Sequence, residues 1–230
     1  MRIIMDYQYF YAFWSAIFLV IWAILFWCRK DIRKEMIIIS PIFGVFGLIT
    51  QTTHLTDWWQ PKRITNTPIG FEDFFIGFAI GGIAAVIYEF IFRKETVESK
   101  IDKKSSYYFL GFFGFLFLSF FYILSLSSGY SVLFSYVISL GILLYQRPHL
   151  FYDSIISGIF LLVIGISIYW ILMLLYPTYI QRFWHLPDVW YAQLVLGIPL
   201  GEYIWYFLTG AFIGPLYEYI EGLKFTDELN

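Results

Sequence analysis

Apolar stretches recur along the chain at the length a bilayer demands. A helix crossing hydrocarbon needs roughly 17–25 mostly apolar residues. Seven segments read this way: Tyr9–Cys28, Met36–Thr50, Asp73–Phe92, Tyr107–Leu126, Tyr130–Tyr145, Phe151–Tyr176 and Glu202–Ile220. Pro41, Gly44 and Gly47 interrupt the second, and the fifth is short. Polar stretches separate them, the longest being Gln51–Phe71, Arg93–Lys104 and Pro177–Gly201. The first apolar stretch is long enough to span and has no small-residue cleavage site before Arg29, so it is expected to be retained. The pattern predicts an all-α, polytopic membrane helical bundle of about seven transmembrane helices, one membrane domain over residues 1–230.

Basic residues orient that layout, because cytoplasmic loops carry the excess of Lys and Arg. With the N-terminus outside, the inner segments hold Arg29, Lys30, Arg33, Lys34, Arg93, Lys94, Lys100, Lys103, Lys104, Arg147 and Lys224. Only Arg2, Lys62, Arg63 and Arg182 fall outside. The expected placement is the cell (plasma) membrane, with a cytoplasmic C-terminus. Composition agrees: 60% of residues are hydrophobic, 23% aromatic and only 14% charged. Soluble domains carry roughly a quarter charged residues, so the expected partner is the lipid bilayer. A formal net charge of −2 gives no reason to expect nucleic acid. The single Cys28 excludes an intrachain disulfide and a cysteine-based metal cluster.

Two polar segments repeat each other. The first reads His54-Leu-Thr-Asp57-Trp-Trp59 with Pro68 nine residues on; the second reads His185-Leu-Pro-Asp188-Val-Trp190 with Pro199 nine residues on. Beyond the prolines, Asp73 matches Glu202, Gly81 matches Gly210, Ala85 matches Gly214, and Tyr88-Glu89 matches Tyr217-Glu218. Rare polar types in the same order carry more weight than aliphatic matches. They predict internal repeats of about 1–104 and 128–230: two parallel three-helix repeats with the fourth span as linking helix. Parallel repeats tend to place a site where the halves meet. Gly77, Gly81 and Ala85, and again Gly210 and Gly214, form small-residue stripes that let helices approach closely. If the two stripes met each other, the acids above them would meet too.

Those acids are the candidate chemistry. Glu72 and Asp73 open the third span and Glu202 the seventh. A carboxylate at a helix start also caps free N–H groups, a purely structural role. Paired in a low dielectric, however, like charges leave one carboxyl holding a proton it can donate. Glu89 and Glu218 lie roughly 25 Å further along their helices at 1.5 Å per residue, beside Tyr88 and Tyr217, and read as structural. His54, Asp57, His185 and Asp188 offer metal-ligand types, but their spacing fits no specific metal motif. Histidine bonded to aspartate in a loop pinned by Trp58, Trp59 and Trp190 is the preferred reading, so no metal or other cofactor is expected. His149 reads as a loop residue. No glycine fingerprint, nucleophile elbow or lysine within the last span points to nucleotide, hydrolase or retinal chemistry.

Each half resembles the lycopene cyclase domain of membrane-bound carotenoid cyclases. The resemblance is carried by Asp57-Trp58-Trp59, Pro68 and Glu72-Asp73-Phe74-Phe75, and by Gly197-Ile-Pro199-Leu-Gly-Glu202 with Tyr217-Glu218. It covers about a third of the chain. The family repeats a Pro-x-Glu-Glu/Asp motif, one per half. Here three residues separate Pro68 from Glu72, and Gly201 stands where the first acid of the second motif belongs. The resemblance implies Glu72, Asp73 and Glu202 as catalytic acids, with His54, Asp57, Trp59, Pro68, His185, Asp188, Trp190 and Pro199 in support. It implies a non-redox isomerase that protonates the end group of a linear carotene or other isoprenoid, closes a ring through a carbocation and loses a proton. Aromatic faces suit such a cation. The alternative is a non-catalytic lipid-binding or structural membrane protein in which the repeated segments only close the bundle.

Overall fold

The computed structural model describes residues 6–94, 96–98 and 103–225. Its helices are α1 (Phe10–Cys28), α2 (Arg33–Asp57), α3 (Phe71–Phe92), α4 (Lys103–Leu118), α5 (Ser128–Gln146), α6 (Phe151–Leu175), α7 (Tyr179–Phe183), α8 (Leu200–Ile213) and α9 (Leu216–Glu221). Two small antiparallel pairings complete it: β1 (Thr96–Glu98) with β4 (Leu223–Phe225), and β2 (Leu194–Val195) with β3 (Ile198–Pro199). Among the described residues, Tyr7–Cys28, Arg33–Asp57, Phe71–Phe92, Ser128–Gln146 and Pro148–Leu175 are long and apolar enough to cross a membrane. The chain is therefore an integral membrane protein. Large apolar side chains such as Trp27, Leu174 and Ile123 point outward, which water would penalise and lipid does not.

The structure redraws three of the expected spans. The second apolar segment was bounded at Thr50 by polarity, yet α2 continues to Asp57. Its terminal threonines bond back to their own helix: Thr50 to the Phe46 carbonyl, Thr53 to that of Thr50 and Thr56 to that of Thr53. Hydroxyls satisfied this way let a polar sequence remain helical. The seventh segment is not one helix. Pro215 has no N–H to donate, and the chain breaks there into α8 and α9. The fourth runs as α4 into a wide π turn, Ser119–Ile123.

The two copies of the polar repeat also fold differently. His54 and Asp57 lie on the last turn of α2, whereas His185 and Asp188 lie in an exposed loop after α7. The sequence difference that accounts for this is Pro187 in the place of Thr56, since proline cannot continue a helix. The loops nevertheless clasp. Gln60 N–H donates to the Phe183 carbonyl at 2.8 Å and His185 N–H to the Trp58 carbonyl at 2.7 Å, around a Trp59–Trp184 bridge.

Glycines set how closely each half packs. The Gly77 and Gly81 stripe faces α2, not the other stripe as the sequence allowed. A Cβ on Gly77 would strike the Phe43 carbonyl oxygen, and one on Gly81 would lie 2.5 Å from the Phe43 Cβ. In the second half Gly210 faces α6, where a Cβ would lie 2.5 Å from the Ser157 carbonyl oxygen. Each stripe thus seals its own half, α3 on α2 and α8 on α6. The halves meet along α3, α6 and α8, with α1 laid across α3. Gly77→Leu and Gly210→Leu are each expected to destabilise by at least about 1–3 kcal/mol, the usual cost of overpacking. A lowered thermal midpoint in detergent is the readout, and an unchanged midpoint in both would refute the close approach.

Candidate functional site

Asp73 and Glu202, one from each half, line a single cavity of about 130 Å³. The glycine contacts do not bring them together; the paired loops and the first turns of α3 and α8 do. Asp73 is the third residue of α3, and its Oδ2 accepts the Gly70 N–H at 2.7 Å, holding the helix start. Arg63, ten residues earlier, reaches back across the loop and grips both carboxylate oxygens, Nε to Oδ2 and Nη2 to Oδ1, each at 2.8 Å. Tyr11 of α1 donates its hydroxyl to Oδ1 at 2.8 Å. Arg63 is 2% exposed and Asp73 1%, so this is a fully buried bidentate pair. A carboxylate offers about four acceptor positions, and here four donors occupy them.

Glu202 is built otherwise. Its Oε1 accepts from the indole N–H of Trp58 at 2.8 Å and of Trp184 at 3.2 Å, and its Oε2 from the Tyr169 hydroxyl at 3.0 Å. All three donors are neutral, and one acceptor position on Oε2 has no partner among the described residues. Trp58 comes from the first half and reaches the acid of the second. Gly201 makes room for it: a Cβ there would lie 3.0 Å from the Trp58 ring. Gly201 is therefore the seat of the indole that holds the neighbouring acid.

The cavity wall is largely aromatic, with Tyr11, Trp14, Trp58, Trp59, Trp190, Tyr191 and Trp205 around Ile76, Ile80, Val132 and Leu208. Trp59 packs against Trp14 and Trp184 at centroid distances of 5.6 and 4.9 Å. Tyr191 bonds Ser127 at 2.9 Å, and burial pushes its phenol up from the ordinary value, keeping it neutral in the physiological range.

The remaining sequence candidates are scattered. Glu72 is buried but turned away from the cavity, accepting the Ile64 N–H at 2.9 Å with Oε1. His54 lines the cavity with its Nδ1 tied to the Thr50 carbonyl at 2.6 Å. Asp57 accepts the Ser128 N–H at 2.7 Å and also its hydroxyl, fixing the start of α5 instead of bonding the histidine. Trp190 reaches the cavity, and Pro199 sits at the start of α8. Pro68, His185 and Asp188 are exposed in loops. The two histidines and two aspartates do not gather as a metal set among the described residues.

Sequence reasoning passed over Arg63, Tyr11, Tyr169 and Trp184. Arg63 was counted only as an outer charge, although a lone arginine ten residues before a helix-opening acid was a usable signal. A family model described as lycopene cyclase matches residues 8–91 and again 127–220, together more than half of the chain. No curated protein and no solved structure matches. Replacing Arg63 by Met strands a buried charge and is expected to cost about 3–5 kcal/mol. Adding Asp73→Asn should recover part of that loss. Chemical or thermal unfolding in detergent measures both, and an Arg63→Met protein as stable as the parent would refute the ion pair.

Proposed function

The chain belongs to the lycopene cyclase family, and on that premise we propose that it cyclises the end group of a linear isoprenoid such as a carotene, with Glu202 carrying the proton. One observation supports this above the others. Glu202 is a buried acid with an acceptor position to spare, opening on an aromatic cavity of about 130 Å³. A cavity of ~150 Å³ admits benzene, so the space is on the scale of a single six-membered ring.

The steps conserve atoms and electrons. The Glu202 O–H protonates the terminal alkene, leaving a tertiary carbocation. The next double bond attacks that carbon, forming the ring bond and moving the cation into the ring. A ring C–H then loses its proton to the Glu202 carboxylate, the electron pair becomes the ring alkene, and the acid is restored. Trp58, Trp184 and Tyr169 stabilise the carboxylate between the two transfers, as preorganised donors do for a developing oxyanion. The indole faces of Trp14, Trp59 and Trp190 stabilise the cation.

Asp73 has no free acceptor position, so its proposed part is positioning: it fixes Tyr11 and Arg63 at the wall. Glu72 is assigned to the loop and takes no part in proton transfer. His54 and Asp57 shape the junction of α2 and α5, and Pro199 starts α8. Pro68, His185 and Asp188 receive no chemical role.

The non-catalytic reading also has an observation in its favour, since Asp73 is saturated and Gly201 replaces an acid. Producing the protein in cells that accumulate a linear carotene separates the two. Cyclic end groups are expected from the parent and from Glu72→Gln. Glu202→Gln should lower product by at least about 100-fold, in keeping with the loss of a general acid, while the protein still folds. Unchanged pigment with folded parent protein would favour the lipid-binding or structural alternative.

A further inference from the structure

The opposite end of the bundle holds a second set of acids, and it too is duplicated. Glu35 is the third residue of α2 and Asp153 the third of α6. Glu89 closes α3, and Glu218 lies on α9. The first half therefore supplies Glu35 from a helix start and Glu89 from near a helix end, and the second supplies Asp153 and Glu218, each from the first turn of its helix. All four are buried, between 0% and 5% exposed. Oxygens of Glu35, Glu89 and Glu218 lie within 4.8 Å of one another, and Asp153 is close enough to act on all three electrostatically.

These groups lack the partners found at the other end. Neither oxygen of Glu89 or of Glu218 has a hydrogen-bond partner among the described residues, nor do Glu35 Oε1 and Asp153 Oδ2. The other Asp153 oxygen accepts the Ser157 hydroxyl at 2.9 Å. Arg29 does not neutralise the group by direct pairing: its guanidinium donates to the main-chain carbonyl of Glu89 and pairs with Asp31. Helix capping does not account for Glu89, which stands near the end of α3, whereas Glu218 lies in the first turn of α9. Burying ionised carboxylates without donors is costly, so such groups either take up a proton or coordinate a cation.

We propose that Glu35, Glu89 and Glu218, with Asp153 beside them, form a binding site for one divalent, oxygen-preferring cation of the Mg²⁺, Mn²⁺ or Ca²⁺ class. Such ions take carboxylate oxygens at about 2.0–2.6 Å, so ligand oxygens on opposite sides of one ion lie about 4.0–5.2 Å apart. The three ligand oxygens all lie within 4.8 Å of one another, close enough to share one such ion. All-oxygen donor sets suit these ions. Drawing its ligands from α2, α3 and α9, with α6 alongside, the ion ties the two halves together at the end away from the cavity. The site is independent of the proposed cyclisation.

Full-length protein purified in detergent, stripped with a chelator and titrated with Mn²⁺, tests this through the electron paramagnetic resonance signal of free Mn²⁺. One ion per chain is expected, with Ca²⁺ or Mg²⁺ competing and the thermal midpoint rising on binding. Glu89→Gln and Glu218→Gln should each weaken uptake at least tenfold, whereas Asp31→Asn, an exposed acid at the same end, should leave it unchanged. A parent protein that takes up no Mn²⁺ and gains no thermal stability from it overturns the proposal. So do Glu89→Gln and Glu218→Gln proteins that bind like the parent. If either variant fails to fold, Glu35→Gln and the parent's metal-dependent midpoint decide the matter.

Discussion

A carboxylate taken out of water must be matched, and this protein buries acids at both ends of an apolar bundle. Three arrangements result. Asp73 is matched by charge, gripped by Arg63 and completed by Tyr11 and the Gly70 N–H. Glu202 is matched by neutral donors alone, two indoles and a phenol. Glu35, Glu89 and Glu218 gather with Asp153 and find almost no donors among the described residues. Each arrangement recruits side chains from separate helices, so satisfying the acids also fixes how the helices meet. In a membrane this matters more than in water, because no hydrophobic force between helices favours one packing over another.

Packing and matching divide the labour. Glycines bring α3 onto α2 and α8 onto α6, within each half. Polar groups then join half to half. Trp58 of the first half holds Glu202 of the second, and the backbone clasp at residues 58–60 and 183–185 sits beside that contact. The cavity is the space left where these cross-links meet. Its aromatic wall follows from the same economy: an indole supplies one N–H to a buried acid and covers the surroundings with apolar surface.

Much of this architecture was legible in the sequence, because the signals that reveal it are local. Apolar runs of bilayer length gave the helices, and paired rare residues gave the duplication. Signals that depend on neighbours were harder to read. Thr50, Thr53 and Thr56 look like loop residues until their hydroxyls are seen to return to the helix backbone. Pro187 for Thr56 decides that two matching segments fold differently, yet as a single substitution it is easily read past. Asp73 and Glu202 were singled out by position, but their difference lies in partners; Arg63 stands ten residues from Asp73, whereas no spacing rule links the acids to residues 11, 58, 169 and 184. Glu89 and Glu218 read as structural because Glu35 and Asp153, the acids that join them, stand many residues away at other helix starts.

Duplication explains why the two ends of the cavity are unequal. A symmetric ancestor would place equivalent acids in both halves, under equivalent demands. Once the halves are fused in one chain, each copy is free to specialise. In the first half the acid is bound by a guanidinium, which ties the loop to the helix start. In the second half no cation pairs with the matching acid among the described residues, and Gly201 leaves room for the Trp58 ring. The first copy therefore supplies the frame, and an indole from that frame orients the copy that retains a free acceptor position. A buried acid can exchange a proton repeatedly only if it is held in place by something other than the proton itself. At Glu202 two indoles and a phenol hold the carboxylate in that way.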